Sequence, residues 1–191
     1  MDAQGKERED RMRRAAIKFT VADYNALPEQ PRYELIEGEF YMTPSPSSDH
    51  QRVAKRIVSA LTEWESRTKL GEVYFAPLDV ILSNESVVQP DIIVILNRNR
   101  HIVQEKVTGP PDVVVEILSP ATLARDLTLK RRLYYRHGVA EYWVVDPARR
   151  TVEVNRWTEG DFSVYQTFAY SDTLVSPLLA GFSVPLRTLF D

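Results

Sequence analysis

Residues 112–118 read Asp-Val-Val-Val-Glu-Ile-Leu, between Gly109-Pro110-Pro111 and Ser119-Pro120. A short, near-continuous apolar run with turn formers at both ends is how a strand covered on both faces of a sheet reads. Glu116 sits inside it. An unpartnered buried carboxylate is expensive, so Glu116 must be paired, protonated or bound to a metal. The rest of the chain has to cover this strand and supply that partner.

Further apolar runs predict strands at about 72–82, 91–96, 141–146 and 151–157. A helix over about 122–137, ended by Gly138, falls between the 112–118 and 141–146 strands, the crossover that parallel neighbours need. "RYELIEGEFYMTP" reads as a hairpin around Glu37-Gly38. Thr20 caps a short helix that Pro28 ends, and Ser48 or Asp49 caps a helix over 50–67. Val53, Ile57, Leu61 and Trp64 give that helix an apolar stripe. Residues 162–190 read as short strands and loops. With 43% hydrophobic residues in 191, residues 16–191 fit one domain. Residues 1–15 are charged throughout and read as a disordered tail.

The formal charge of −3 argues against a constitutive, tight nucleic-acid binder, though not against an enzyme holding nucleic acid through one local basic face. There is no cysteine, hence no disulfide framework and no thiolate zinc site, and no stretch has the length of a membrane span. A cytoplasmic protein is expected. Phosphate-binding glycine loops and the Gly-x-Ser-x-Gly elbow are absent.

Chemistry-bearing residues gather around the central strands. Asp91 follows Pro90 at the edge of "DIIVIL". On the following helix, Leu123, Leu127, Lys130 and Tyr134 fall within about 40° of one another, so Lys130 shares the expected inward stripe. Arg125, Arg132 and Arg136 are expected on the opposite side. Paired carboxylates repel as ions unless a divalent cation lies between them, and a nearby ammonium can neutralise charge growing on a phosphoryl group. Hard oxygen donors suit magnesium or manganese. That is the equipment of metal-assisted phosphodiester hydrolysis.

"QPDIIVI" followed by "VVVEILSP" resembles the PD-(D/E)XK signature of restriction-endonuclease-like nucleases. "RYELIEGEFYMTPSP…H", "VVEILSPAT", "RDLTLKRRLYYRHGVAEYWVVDP" and "LVSPLLAGFSVPLRTLF" resemble the Uma-type family of "putative restriction endonucleases" from about residue 19 onward. The resemblance implies an α+β fold, a four- or five-stranded mixed sheet flanked by helices, with the hairpin at its N-terminal side. It also implies Mg²⁺ (or Mn²⁺) dependence and a homodimer, with Asp91 and Glu116 as metal ligands and catalytic residues. The broad motif places its lysine two residues after the acid, where this chain has Leu118. The Uma-type pattern resembles a variant with the lysine on the next helix, which Lys130 matches.

The expected function is a Mg²⁺-dependent DNA endonuclease with low-affinity, metal-dependent DNA binding. The alternative is a catalytically inactive, dimeric binding module in which Glu116 and Lys130 form a structural ion pair. Glu34, His50 and Tyr134 are possible supporting residues. Arg125, Arg131, Arg132 and Arg136 are candidate phosphate contacts, with Arg52, Lys55 and Arg56 extending the patch. Asp112 reads as a strand-entry residue, and Asp126 as an i, i+4 partner of Lys130 or a first-turn acid.

Overall fold

The structure, a computed structural model, describes residues 18–191, so the expected tail at 1–15 lies outside the described residues. Helix α1 (Val21–Asn25) leads into the hairpin β1 (Tyr33–Ile36) and β2 (Glu39–Met42). Glu37 and Gly38 take positive φ angles of 51° and 86°, the geometry a two-residue hairpin turn requires. The long helix α2 (Ser48–Thr68) follows, then β3 (Gly71–Phe75), β4 (Val80–Ser83), β5 (Ser86–Val88) and β6 (Ile92–Leu96). A 3-10 turn (Asn97–Ile102), β7 (Val107–Thr108) and β8 (Val113–Ile117) come next. α3 (Leu123–Arg125), a π-helical turn (Asp126–Lys130) and α4 (Arg131–Arg136) run on as one helical rod. The chain closes with β9 (Glu141–Asp146), β10 (Thr151–Trp157), β11 (Phe162–Phe168), β12 (Thr173–Val175), β13 (Ser183–Pro185) and α5 (Arg187–Phe190).

The main sheet has six strands in the order β11-β10-β9-β8-β6-β3, one or two more than the resemblance implied. Every neighbour is antiparallel except β8 and β9, whose parallel pairing is bridged by the helical rod as expected. A second sheet, β2-β1-β5-β4-β7, contains the hairpin. The run expected as one strand over 72–82 is thus two strands in two sheets. Pro77 interrupts it, having no N–H to give a ladder, and the chain crosses between sheets there.

Two apolar layers enclose β8. On one side Val53, Ile57, Leu61 and Trp64 of α2 pack on Ile92, Val94, Val113, Val115 and Trp143, as the stripe predicts. Each large side chain so buried contributes roughly 1.5–3 kcal/mol. The cap of α2 is Ser47, one residue earlier than expected, its hydroxyl accepting from the His50 N–H at 3.2 Å. On the other side Val114, Tyr142 and Val144 pack with Ile36, Val80, Leu133 and Tyr134. The pleat therefore sends Val114, and Glu116 with it, toward the rod and the hairpin. Asp112 anchors the 3-10 turn, accepting from Leu96 N (2.7 Å) and Asn99 Nδ2 (2.9 Å). Among the described residues no helix is long and apolar enough to cross a membrane.

Candidate active site

The two acids reach one place because their strands are neighbours. Ile92 of β6 pairs with Val115 of β8 in antiparallel register, so the next step sets Asp91 across from Glu116. Asp91 Oδ2 accepts from Ile117 N at 2.7 Å and lies 3.1 Å from His50 Nε2. His50, at the start of α2, is held there by the Ser47 cap.

The rod brings the lysine, by a different geometry from the one its periodicity suggests. Leu123 and Leu127 are outward, 40% and 41% exposed, while Asp126, Lys130, Leu133 and Tyr134 face inward. The π-helical turn is wider than an α turn, so residues across 126–130 no longer follow 100° steps, and the inward stripe shifts from Leu127 to Asp126. Arg125, expected on the outer face, is mostly buried instead. Its NH1 lies 3.9 Å from Glu34, and its guanidinium is 5.8 Å from the Tyr41 ring centre.

Lys130 Nζ contacts Glu34 Oε1 at 2.8 Å, Glu116 Oε1 at 2.9 Å and, more distantly, Asp126 Oδ1 at 3.7 Å. The Tyr134 hydroxyl donates to Glu116 Oε1 at 2.6 Å. Glu34, on β1, also accepts from Gln89 N at 3.0 Å. The hairpin therefore closes the site by contributing an acid to it. Glu34, His50, Asp91, Glu116, Arg125, Asp126 and Lys130 line one open cleft of about 530 Å³, and Tyr134, fully buried, touches it only through Glu116.

Four carboxylates, from Glu34, Asp91, Glu116 and Asp126, line the cleft with three permanent cations, Lys130, Arg125 and Arg32. Burial pushes Glu116 well above the usual carboxylate range; Lys130 opposes this, while Asp126, Asp91 and Glu34 add to it. Burial also raises Asp126, against the pull of Lys130. Lys130 is raised: burial disfavours its charge, but Glu116, Glu34 and Asp126 more than offset that. His50 is raised too, because Asp91 outweighs the burial that disfavours its charge. The four acids outnumber the three permanent cations by one, and buried polar atoms of both kinds lack a hydrogen-bond partner: the acceptors Glu34 Oε2 and Asp126 Oδ1, the donor Arg125 Nε, and His50 Nδ1. Asp91 Oδ1 and Glu116 Oε2 accept no hydrogen bond from the described residues. A divalent cation fits this imbalance. No three His, Asp or Glu side chains among the described residues form a ready-made cage. A donor set of two carboxylates completed by waters suits magnesium or manganese better than zinc.

Of the sequence-nominated residues, the structure gathers Asp91, Glu116, Lys130, Glu34, His50, Tyr134 and Arg125 around this cleft. It does not bring the other arginines there. Arg131 is held by Asp161 (2.9 and 3.0 Å), and Arg132 and Arg136 both pair with Glu37 at the hairpin turn (2.7 and 2.5 Å). Asp126, which reads from the sequence as an i, i+4 partner of Lys130 or a first-turn acid, joins them in the cleft; its spacing of four from Lys130 is the signal the sequence offers.

A family model described as Uma2, "Putative restriction endonuclease", matches residues 21–187. Among solved structures, the chain resembles one titled a "putative nuclease belonging to DUF820" from Anabaena variabilis. The match has a TM-score of 0.75 and 23% identity, and covers 90% of this chain and 97% of that one. That likeness shows a shared fold, and with it the restriction-endonuclease-like α+β architecture expected from the sequence. No curated protein matched.

Proposed function

The chain belongs to the Uma2 family, described as "Putative restriction endonuclease", and from that premise we propose that it is a divalent-metal-dependent nuclease hydrolysing DNA phosphodiester bonds. One observation carries the reading: Asp91, Glu116 and Lys130 converge on a single open cleft in which four carboxylates stand against three permanent cations.

Asp91 and Glu116 would hold Mg²⁺ or Mn²⁺. When bound, the ion supplies an acidified water and positive charge against a phosphoryl oxygen. The protein's own groups prepare the rest. Tyr134 and Lys130 both bond Glu116 Oε1, which fixes the carboxylate and leaves Oε2 open toward the cleft. His50 and the Ile117 N–H do the same for Asp91 through Oδ2. The Lys130 ammonium, kept charged by three acids, is placed to orient a nucleophile or offset negative charge on the phosphoryl group. Arg125 offers a guanidinium at the cleft wall for the substrate backbone. Arg131, Arg132 and Arg136 would reach phosphates only by exchanging their present acidic partners. DNA would be held weakly and by its backbone, and a homodimer fits the family resemblance.

The saturated Glu116 Oε1, bonded by both Lys130 and Tyr134, favours a second reading: a structural ion pair in an inactive binding module. Plasmid incubated with Mg²⁺ or Mn²⁺ separates the two. Wild-type protein should nick it, EDTA should stop the reaction, and Glu116→Gln or Asp91→Asn should lower the rate at least about a hundredfold. Equal nicking by wild type and Glu116→Gln, or no metal-dependent nicking at all, selects the second reading.

A further inference from the structure

The active-site cleft does not end at His50. Ser47, His50, Ser119 and Pro120 line it, and the same four residues line a larger cleft of about 750 Å³ on their other side. The two clefts adjoin along these four residues. The walls of the second part are apolar and charged, with three arginines against two carboxylates, Asp49 and Asp146. Val53, Leu118, Leu123 and Phe190 give it an apolar floor, and Leu123 is the residue the π-helical turn rotates outward, 40% exposed. Arg52, Arg149 and Arg150 stand on its rim.

These arginines differ from those on the rod. Arg149, on the turn between β9 and β10, is 79% exposed, and its ion pair with Asp146 (3.0 Å) is a local i, i+3 contact. Arg52, 54% exposed, pairs at the same spacing with Asp49 (2.8 Å). The Arg52–Asp49 pair lies at the surface, where such pairs are weak and give way readily to a phosphate. Asp146 is largely buried and also accepts the Arg149 N–H at 3.0 Å, so the Arg149 guanidinium can turn to a phosphate without stripping that carboxylate of every partner. Arg150 contacts no carboxylate among the described residues and lies over the Tyr170 ring at 5.1 Å. An apolar floor with an arginine rim complements a single strand of nucleic acid, whose bases and sugars seek the floor and whose phosphates seek guanidinium.

We infer that this second cleft seats the DNA strand flanking the scissile phosphate, with Arg52, Arg149 and Arg150 holding its phosphates and Leu123 and its neighbours carrying its bases. The inference rests on the nuclease reading and adds a direction to it. The strand leaves the carboxylates past His50 toward the β9–β10 turn, away from the arginines tied to Glu37.

The test measures fluorescence anisotropy of labelled oligodeoxythymidylate with phosphorothioate linkages, which resist cleavage, with the full-length protein in Mg²⁺, across a salt series, beside the plasmid-nicking assay. Arg149→Ala/Arg150→Ala should weaken binding about tenfold and reduce the salt slope by about 1.4, the value for two single-strand phosphate contacts. Leu123→Ala should weaken binding several-fold with the slope unchanged. Arg100→Ala/Arg156→Ala, which removes the same charge outside the two clefts, should change neither. Equal loss in the two double arginine variants, or no loss in Arg149→Ala/Arg150→Ala, overturns the inference. So does a wild type that fails to bind the oligonucleotide. In each case the nicking assay, read with Glu116→Gln, tells separately whether the nuclease reading survives.

Discussion

Replacing Lys130 with methionine tests the electrostatics of the cleft most directly. Lys130 is the cation shared by Glu34, Glu116 and Asp126, and it is almost wholly buried beside two of them, at 2.8 and 2.9 Å. Methionine matches its length and removes the charge, so packing changes little. What remains is a set of desolvated carboxylates facing each other. Breaking a buried pair from one side costs about 3–5 kcal/mol, because the abandoned charge stays buried. For a chain of this size, each kcal/mol moves the melting temperature by about 2–4 °C, so a fall of roughly 6–20 °C is expected in EDTA. Lys130→Met/Glu116→Gln should recover part of it, with a coupling of about 0.5–3 kcal/mol. Magnesium at a hundredfold excess over its dissociation constant should stabilise the single variant by about 2.7 kcal/mol. Differential scanning calorimetry reads all three. A Lys130→Met melt within a degree or two of wild type would mean that the acids do not depend on the ammonium, and the account of the site would fall.

Two further expectations concern the scaffold. Asp79 accepts from Tyr24 and Gln89 at 2.8 Å each and pairs with Lys106 at 2.7 Å; burial works to raise its pKa, but these donors lower it below the ordinary 3.8. Its stabilisation is therefore present above about pH 4 and lost as pH falls through the lowered value. Asp79→Asn should cost about 1–2 kcal/mol at neutral pH, and the deficit should vanish in acid melts; a pH-independent deficit would contradict this. Ser47→Ala removes the α2 cap and should cost about 0.5–2 kcal/mol in urea titrations, an unchanged midpoint being the contrary result.

Much of this arrangement was legible in the sequence because burial and charge conflict there. Glu116 stands out in an apolar strand, and Asp91 stands out where Pro90 opens another. The hairpin and α2 were equally plain, since turn chemistry and an uninterrupted stripe are local signals. What misled was non-local. Strand β3 and strand β4 look continuous because both are apolar, and only the assignment of partners shows that Pro77 sends them to different sheets. The inward face of the rod was misplaced at Leu123 and Leu127 because a π-helical turn leaves no distinct mark in composition. The periodicity still sets Lys130 and Tyr134 inward, while Asp126 reads as a helix partner of Lys130 or a first-turn acid. The hairpin's Glu34 could be nominated only by resemblance, since nothing local says which distant lysine it will meet.

The wide turn at Asp126–Lys130 also bears on how this chain could change over time. A regular α-helix there would bond its backbone better, so dropping one residue would tighten the rod. The same deletion would swing everything after it around the rod axis, carrying Tyr134 away from Glu116 and re-aiming the ammonium. A lineage under pressure for robustness alone should lose that extra residue, so its retention in any descendant would mark chemistry still in use.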